Sequence, residues 1–423
     1  MRARAGWLTA LVGASAAAAR AQQSAAWEWS YEVDARLRAE SYANDPWSGG
    51  AQDHDYVWWR ATPSVDLRRK GVFRALAQVL VAFENGDEAG LAPVDEDRGD
   101  WLQAFVEAPI AANASVWAGR RVLAFGSERL ISARRGPNVP RAFDGGGLAL
   151  TSERATFELF GAHPVAPAPG EFDDEANERQ SLRAAYGTWK FGDELGLDVY
   201  TIDFEDETAE YEQGAGLERR RTFGARSFGR EAGWDWNIEA FLQRGRFAGG
   251  DIRAWSVATE IGRSFELGGR DAHLGLRANV ISGDDDPTDD VLGTFQAMFP
   301  RGKYFGEMGL IGPANLVNLH PSFELRLSER WSLFLAGVLY WRQSESDGAY
   351  GLAGELLEPG AGSDSRYIGT QLDLGFEFAA TSCLSVAFGV SALLPGGFME
   401  DRGRDDAVLF AGGELALTFP TTH

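Results

Sequence analysis

Cysteine is almost missing from this 423-residue chain: Cys383 stands alone, so no intramolecular disulfide framework can hold the fold. Histidine is scarce too. His54, His163, His273, His320 and His423 are widely spaced and match no zinc-ligand pattern, and no cofactor or metal site is expected. Lysine is reduced to Lys70, Lys190 and Lys303, leaving arginine as the cation the chain uses. Past Ala21 no apolar run approaches the roughly 20 residues of a membrane-spanning helix, which argues against an inner-membrane protein. With 62 acidic against 40 basic residues the net charge is −22, the wrong sign for a nucleic-acid binder.

The N-terminus is patterned for export. Arg2 and Arg4 precede a short apolar run from Trp7 to Ala19, and Ala19-Arg20-Ala21 has the small-x-small form of a leader-peptidase site. Residues 1–21 are therefore expected to be a signal peptide, with the mature domain, residues 22–423, starting at Gln22. Removing Arg2, Arg4 and Arg20 leaves 37 basic against 62 acidic residues, a mature charge of −25.

The dominant pattern beyond that point is period-two alternation. Between Tyr31 and Tyr42, Val33, Ala35, Leu37 and Ala39 share one face while Asp34, Arg36, Arg38 and Glu40 share the other. Ile368, Leu372, Leu374, Phe376 and Phe378 likewise oppose Tyr367, Gln371, Asp373 and Glu377, and Leu319, Phe323, Leu325 and Leu327 alternate with His320, Ser322, Glu324 and Arg326. The polar faces are too charged for a packed core. They suit a wall with lipid on one side and a hydrated lumen on the other.

Such segments fall at 28–41, 55–69, 72–84, 100–108, 114–125, 141–152, 155–163, 180–191, 196–206, 217–230, 233–245, 253–265, 273–282, 316–327, 331–342, 367–379, 382–393 and 407–419. The expected fold is all-β: a single-domain transmembrane antiparallel β-barrel of about 18 strands in the bacterial outer membrane, an even count returning the chain to its starting side. Trp27, Trp29, Trp58, Trp59, Trp101, Trp117, Trp189, Trp234, Trp236, Trp331, Tyr340 and Trp341 lie near segment ends, as interfacial girdles require.

Connections alternate in length. The short turns Arg69-Lys70-Gly71, Gly192-Asp193-Glu194-Leu195, Ser328-Glu329-Arg330 and Ala380-Thr381 are expected at the periplasmic end. The long segments 43–54, 85–99, 164–179, 207–216, 283–315, 343–366 and 394–406 are expected outside. Asp95-Glu96-Asp97, Asp173-Asp174-Glu175, Glu205-Asp206-Glu207 and Asp284-Asp285-Asp286 make these outer segments acidic, which places much of the negative charge outside the lumen. The stretch from Asp284 to Asp290 lacks the glycine and terminal glutamate of an EF-hand loop, so these clusters read as solvated or divalent-bridged surface.

Two stretches go beyond generic barrel pattern. Gly119-Arg120-Arg121, Phe125-Gly126, Arg129-Leu130 and then Arg134-Arg135-Gly136-Pro137-Asn138-Val139, closing on Phe143-Asp144-Gly145, resemble the GRQ, YGxxRL and RxxPNVRxxFDG run of the bacterial alginate export family. Ser282-Gly283-Asp284, Asp286-Pro287, Phe299-Pro300-Arg301-Gly302-Lys303-Tyr304, Gly306, Asn315-Leu316 and Trp341-Arg342 are similar to its later signatures, in the same order. The resemblance covers most of the mature chain and implies an eighteen-stranded outer-membrane channel exporting an alginate-like polyuronate.

A polyuronate carries one carboxylate per sugar, and its passage needs repeated weak cation contacts along a wet tube. By alternation the lumen-facing candidates are Arg36, Arg38, Arg60 and Arg120. The motif stretch adds Arg129, Arg134, Arg135 and Arg141, with Asp144 as a partner for one of them. Irregular and rich in glycine and proline, 126–140 is expected to fold inward as a constriction. For each arginine the alternative is a wall salt bridge to Asp34, Glu40, Glu107 or Glu153. The arginine-rich composition also fits a high-GC coding bias.

The expected partners are outer-membrane lipid and lipopolysaccharide, the barrel-assembly machinery, and anionic oligo- or polysaccharides or other small anions. Competing readings are a general or small-anion porin, a structural barrel with a plugged lumen, and an outer-membrane hydrolase. No Gly-x-Ser-x-Gly element or other triad signature accompanies the histidines, so no enzyme activity is expected.

Overall fold

The computed structural model describes residues 27–48, 52–86 and 92–422, so the expected signal peptide lies outside the described residues. Eighteen strands form the wall: β1 (Trp27–Ala43), β2 (His54–Arg69), β3 (Phe73–Asn85), β4 (Asp97–Ala111), β5 (Ala114–Arg121), β6 (Phe143–Thr151), β7 (Ala155–Ala166), β8 (Gln180–Lys190), β9 (Gly196–Tyr211), β10 (Gly214–Glu231), β11 (Trp234–Phe247), β12 (Gly250–Leu267), β13 (Arg270–Ile281), β14 (Leu316–Arg326), β15 (Trp331–Arg342), β16 (Tyr367–Ala379), β17 (Leu384–Pro395) and β18 (Val408–Thr422). Each pairs antiparallel with the next, and β18 closes on β1 from Ser30↔Thr422 to Ala43↔Leu409. Closure removes the open edge that a membrane would not tolerate. The expected eighteen-stranded barrel is the fold.

The two faces separate as the alternation requires. On β1, Arg36, Arg38, Glu40 and Tyr42 are buried toward the interior while Leu37 is exposed on the outside. The outer face carries Val65, Val106, Phe223, Leu242, Leu274, Leu372 and Val390. Trp27, Trp29, Trp59, Trp101, Trp189, Trp234 and Trp331 stand exposed, as a girdle requires. Trp58, Trp117 and Tyr340 instead turn inward and are buried: the Trp58 indole donates to Glu84 at 2.6 Å and the Tyr340 hydroxyl to the Phe305 carbonyl at 3.2 Å. They serve the interior, because odd and even positions of a strand cannot share a face.

Two further expectations are corrected. Segment 207–216 is not a long loop, since β9 and β10 run on to a tight turn, pairing Tyr211 with Gly214. Glu205 and Asp206 are accordingly strand residues on opposite faces, Glu205 meeting Arg219 outside at 3.1 Å and Asp206 buried inside. Nor are the acidic clusters all solvated surface, for Asp95, Glu96, Asp97 and Asp284 are buried.

Gly119 on β5 has φ +123, and a Cβ there would sit 2.3 Å from the Ala104 carbonyl oxygen on β4. Gly119→Ala should therefore strain the β4–β5 ladder by about 1–3 kcal/mol, read as a lower urea midpoint for unfolding from lipid vesicles.

Candidate functional site

Two connections leave the wall and cross the interior. Segment 122–142 joins β5 to β6, and 282–315 joins β13 to β14. The first cannot continue as strand: Gly126, Glu128 and Arg134 all take positive φ, at 57°, 58° and 44°, and Pro137 and Pro140 offer no ladder donor. Its apolar residues Leu123, Leu130, Ile131 and Ala133 are buried, and the Phe125 ring stacks on Phe160 at 4.9 Å.

The wall answers its backbone with guanidinium groups. Arg36 donates to the carbonyls of Arg135, Gly136 and Pro137 at 2.8, 3.0 and 3.0 Å. Arg38 donates to Gly136 at 2.7 Å, and Arg60 to Pro137 and Asn138 at 3.1 and 3.0 Å. The fully buried Asn138 amide in turn donates to the Phe83 and Asp95 carbonyls at 3.0 and 2.9 Å. At its other end the segment reaches β11 and β12, where Arg129 meets Glu239 at 2.9 Å and Glu260 at 3.8 Å. β2 and β11 are nine strands apart in a ring of eighteen, so the segment spans the lumen.

Segment 282–315 crosses beside it and is bonded to it. The Phe299 amide donates to Leu130 at 3.0 Å and the Arg301 amide to Glu128 at 3.1 Å. The Phe299 ring meets Phe143 and Phe204 edge-on. Gly136 and Gly302 mark the closest approach, where a Cβ on Gly302 would fall 3.3 Å from the Pro137 ring. Beyond it Lys303 bridges Glu40 and Glu307 at 3.5 and 3.1 Å, and the Tyr42 hydroxyl on β1 donates to Met308 at 3.0 Å. Arg38, Glu40, Lys303 and Glu307 line one side of a cavity of about 200 Å³.

The sequence-named residues thus divide. Arg36, Arg38 and Arg60 are inward and brace the crossing segment, and Arg129 ties it to β11. Arg120 does not face the lumen. Inward Trp117 and Arg121 fix the parity of β5, and Arg120 pairs across strands with Ala104 on one side and Asp144 on the other, in the outward row. It clamps Asp144 at 2.9 Å, Asp100 at 3.5 Å and Asp174 at 3.8 Å. Asp100, Asp173 and Asp174 bring carboxylate oxygens within 4.8 Å of one another, and burial helps push Asp174 up to about 6.

Arg134, Arg135 and Arg141 form no ion pair within 4 Å among the described residues, and neither does Arg301, which alternation alone did not single out. Burial and the neighbouring Arg134 hold the Arg141 guanidinium below its ordinary value; burial and Arg277 do the same to Arg301. Both stay charged at neutral pH. Arg141 lies 4.8 Å over the Phe299 ring and Arg301 5.7 Å over Tyr304, and their Nε groups have no hydrogen-bond partner. Four arginines without a direct ion pair therefore sit on the two crossing segments, with Glu355 and Asp95 acting on Arg134 and Glu260 on Arg301 only from farther away.

The sequence model for alginate export matches residues 28–408. The chain belongs to the alginate export family. No curated protein matches it. Among solved structures it is similar to Pseudomonas aeruginosa OpdK with vanillate at 12% identity and TM-score 0.62, covering 93% of this chain and 99% of that one. Acinetobacter baumannii OccAB1 gives 12% and 0.61 over 93% and 96%, and Pseudomonas aeruginosa OccK5 (OpdH) 11% and 0.58 over 93% and 98%. Family and fold are those of outer-membrane channels.

Several alginate-export signatures prove to be anchors for the inward segments. Asn138 is one. Asn315 is another, donating to the Ser344, Asp347 and Gly348 carbonyls at 3.0, 2.9 and 2.9 Å. Arg342, with no exposed surface, donates to the carbonyls of Glu345, Asp347, Gly360, Ser363 and Ser365. Asn138→Ala removes the hydrogen bonds pinning 122–142, worth about 2–3 kcal/mol together. Single-channel recordings should then show larger and noisier current, while the barrel keeps its heat-modifiable migration on gels.

Proposed function

We propose that this channel conducts anions and that its solutes are carboxylated oligo- or polysaccharides of the alginate type. The observation that carries the reading is the set of four arginines without ion pairs, Arg134, Arg135, Arg141 and Arg301, on the two segments that cross the lumen. Arg36, Arg38, Arg60, Arg129, Arg220 and Arg342 are by contrast matched by acids or carbonyls. A fixed guanidinium with free donors binds a passing carboxylate through charge-assisted hydrogen bonds, and several weak sites in succession hand it on without trapping it. Family membership supports a polyuronate as the solute class.

A small-anion porin is the second reading, favoured by the likeness to OpdK, which was solved with vanillate. In planar bilayers the wild type should be anion-selective and blocked by oligouronates. Arg135→Ala combined with Arg301→Gln should lower the anion-to-cation permeability ratio several-fold and weaken the block. Anion current indifferent to oligouronates supports the small-anion porin. Cation-selective wild-type current overturns both. Arg129 is a poorer probe, because its loss strands Glu239 and changes selectivity through a broken brace.

A further inference from the structure

On the outer face of β8 to β12, near the long-loop end, lies a patch that the channel reading does not use. Cross-strand register aligns Arg183, Asp203, Arg221, Arg244 and Arg253 in one outward row, with Glu205, Arg219, Arg246 and Asp251 in the next. All six arginines are exposed, in a chain whose net charge is −22. Asp203 meets Arg221 at 2.5 Å, Glu205 meets Arg219 at 3.1 Å, and Asp251 meets Arg246 and Arg253 at 3.2 and 3.7 Å. Three acids thus face six guanidinium groups. Arg219 lies directly opposite Arg246, and Arg244 lies opposite both Arg221 and Arg253. Like charges directly across strands destabilise a sheet unless an anion joins them. Arg244 has only the Gln243 carbonyl, at 2.8 Å, and the Arg183 stem lies along Gly161.

The height of this patch is informative. Arg221, Arg244 and Arg253 each stand two residues, about 7 Å along the strand, beyond the outward apolar residues Phe223, Leu242 and Trp255. The cations begin where the lipid-facing band ends. The first and last described residues, Trp27 and Thr422, lie at the opposite end and all the long connections at the patch's end, so the patch faces the outer leaflet. Arginine's planar fork fits phosphate oxygens in a bidentate way.

We infer that Arg183, Arg219, Arg221, Arg244, Arg246 and Arg253 form a binding surface for the phosphorylated sugar headgroup of outer-leaflet lipopolysaccharide. The acyl chains would lie against Phe223, Leu242, Trp255 and Val257 while the phosphates bridge the arginine rows. The site is independent of what the lumen conducts.

Native mass spectrometry of the detergent-solubilised protein tests this with diphosphorylated lipid A and its dephosphorylated form. Arg221→Gln/Arg244→Gln/Arg253→Gln should weaken binding of the diphosphorylated lipid at least tenfold. Arg68→Gln/Arg270→Gln/Arg330→Gln, at the short-turn end, should change it less than twofold. Millimolar inorganic phosphate should not displace the lipid. Equal binding of the dephosphorylated lipid, equal loss in both triple variants, no loss in the first, or displacement by free phosphate would each overturn the proposal. Should the first triple variant lose its heat-modifiable migration, Arg244→Gln alone carries the same comparison.

Discussion

A chain segment that enters a barrel lumen brings carbonyls with no ladder to join, and in this protein wall arginines answer them. Arg36, Arg38 and Arg60 direct their donors at consecutive carbonyls from Arg135 to Asn138. Without such donors the irregular backbone would carry unsatisfied polar groups. Arg342 repeats the device for 343–366. Arg36, Arg38, Arg60 and Arg342 on the wall are thereby committed, while Arg134, Arg135, Arg141 and Arg301 on the crossing segments are left for other work.

Much of the barrel was legible because its signal is local. Alternation along β1, β14 and β16 shows two solvents from neighbouring residues alone, and the eighteen segments coincide with the wall strands to within a few residues. Parity was harder. Arg120 follows the charged pattern of a lumen residue, yet its face is set by Trp117, which packs inward, and by a strand that stops at Arg121. The buried acids Asp95 and Asp284 look like surface runs in sequence, because the partners that cover them are dozens of residues away.

The signatures behind the family resemblance owe their character to folding inward. Gly119 permits close approach to β4, Gly145 lies where a Cβ would fall 2.3 Å from the Gly161 carbonyl, and Asn138 and Asn315 each satisfy several carbonyls with one buried amide. Arg301 sits in one such signature and yet makes no ion pair within 4 Å among the described residues. Only the three-dimensional arrangement distinguishes it from its bracing neighbours, since an arginine's partner cannot be read from its own surroundings in sequence.

The bonds between the two crossing segments bear on time as well as space. Leu130 and Glu128 hold Phe299 and Arg301 through backbone hydrogen bonds, and the Phe299 ring meets Arg141 of the other segment and Phe143 and Phe204 of the wall. Moving either segment alone breaks these bonds. Joint displacement of this diaphragm is thereby favoured over independent motion of its halves, and the pore it leaves is expected to change in steps, not by continuous drift.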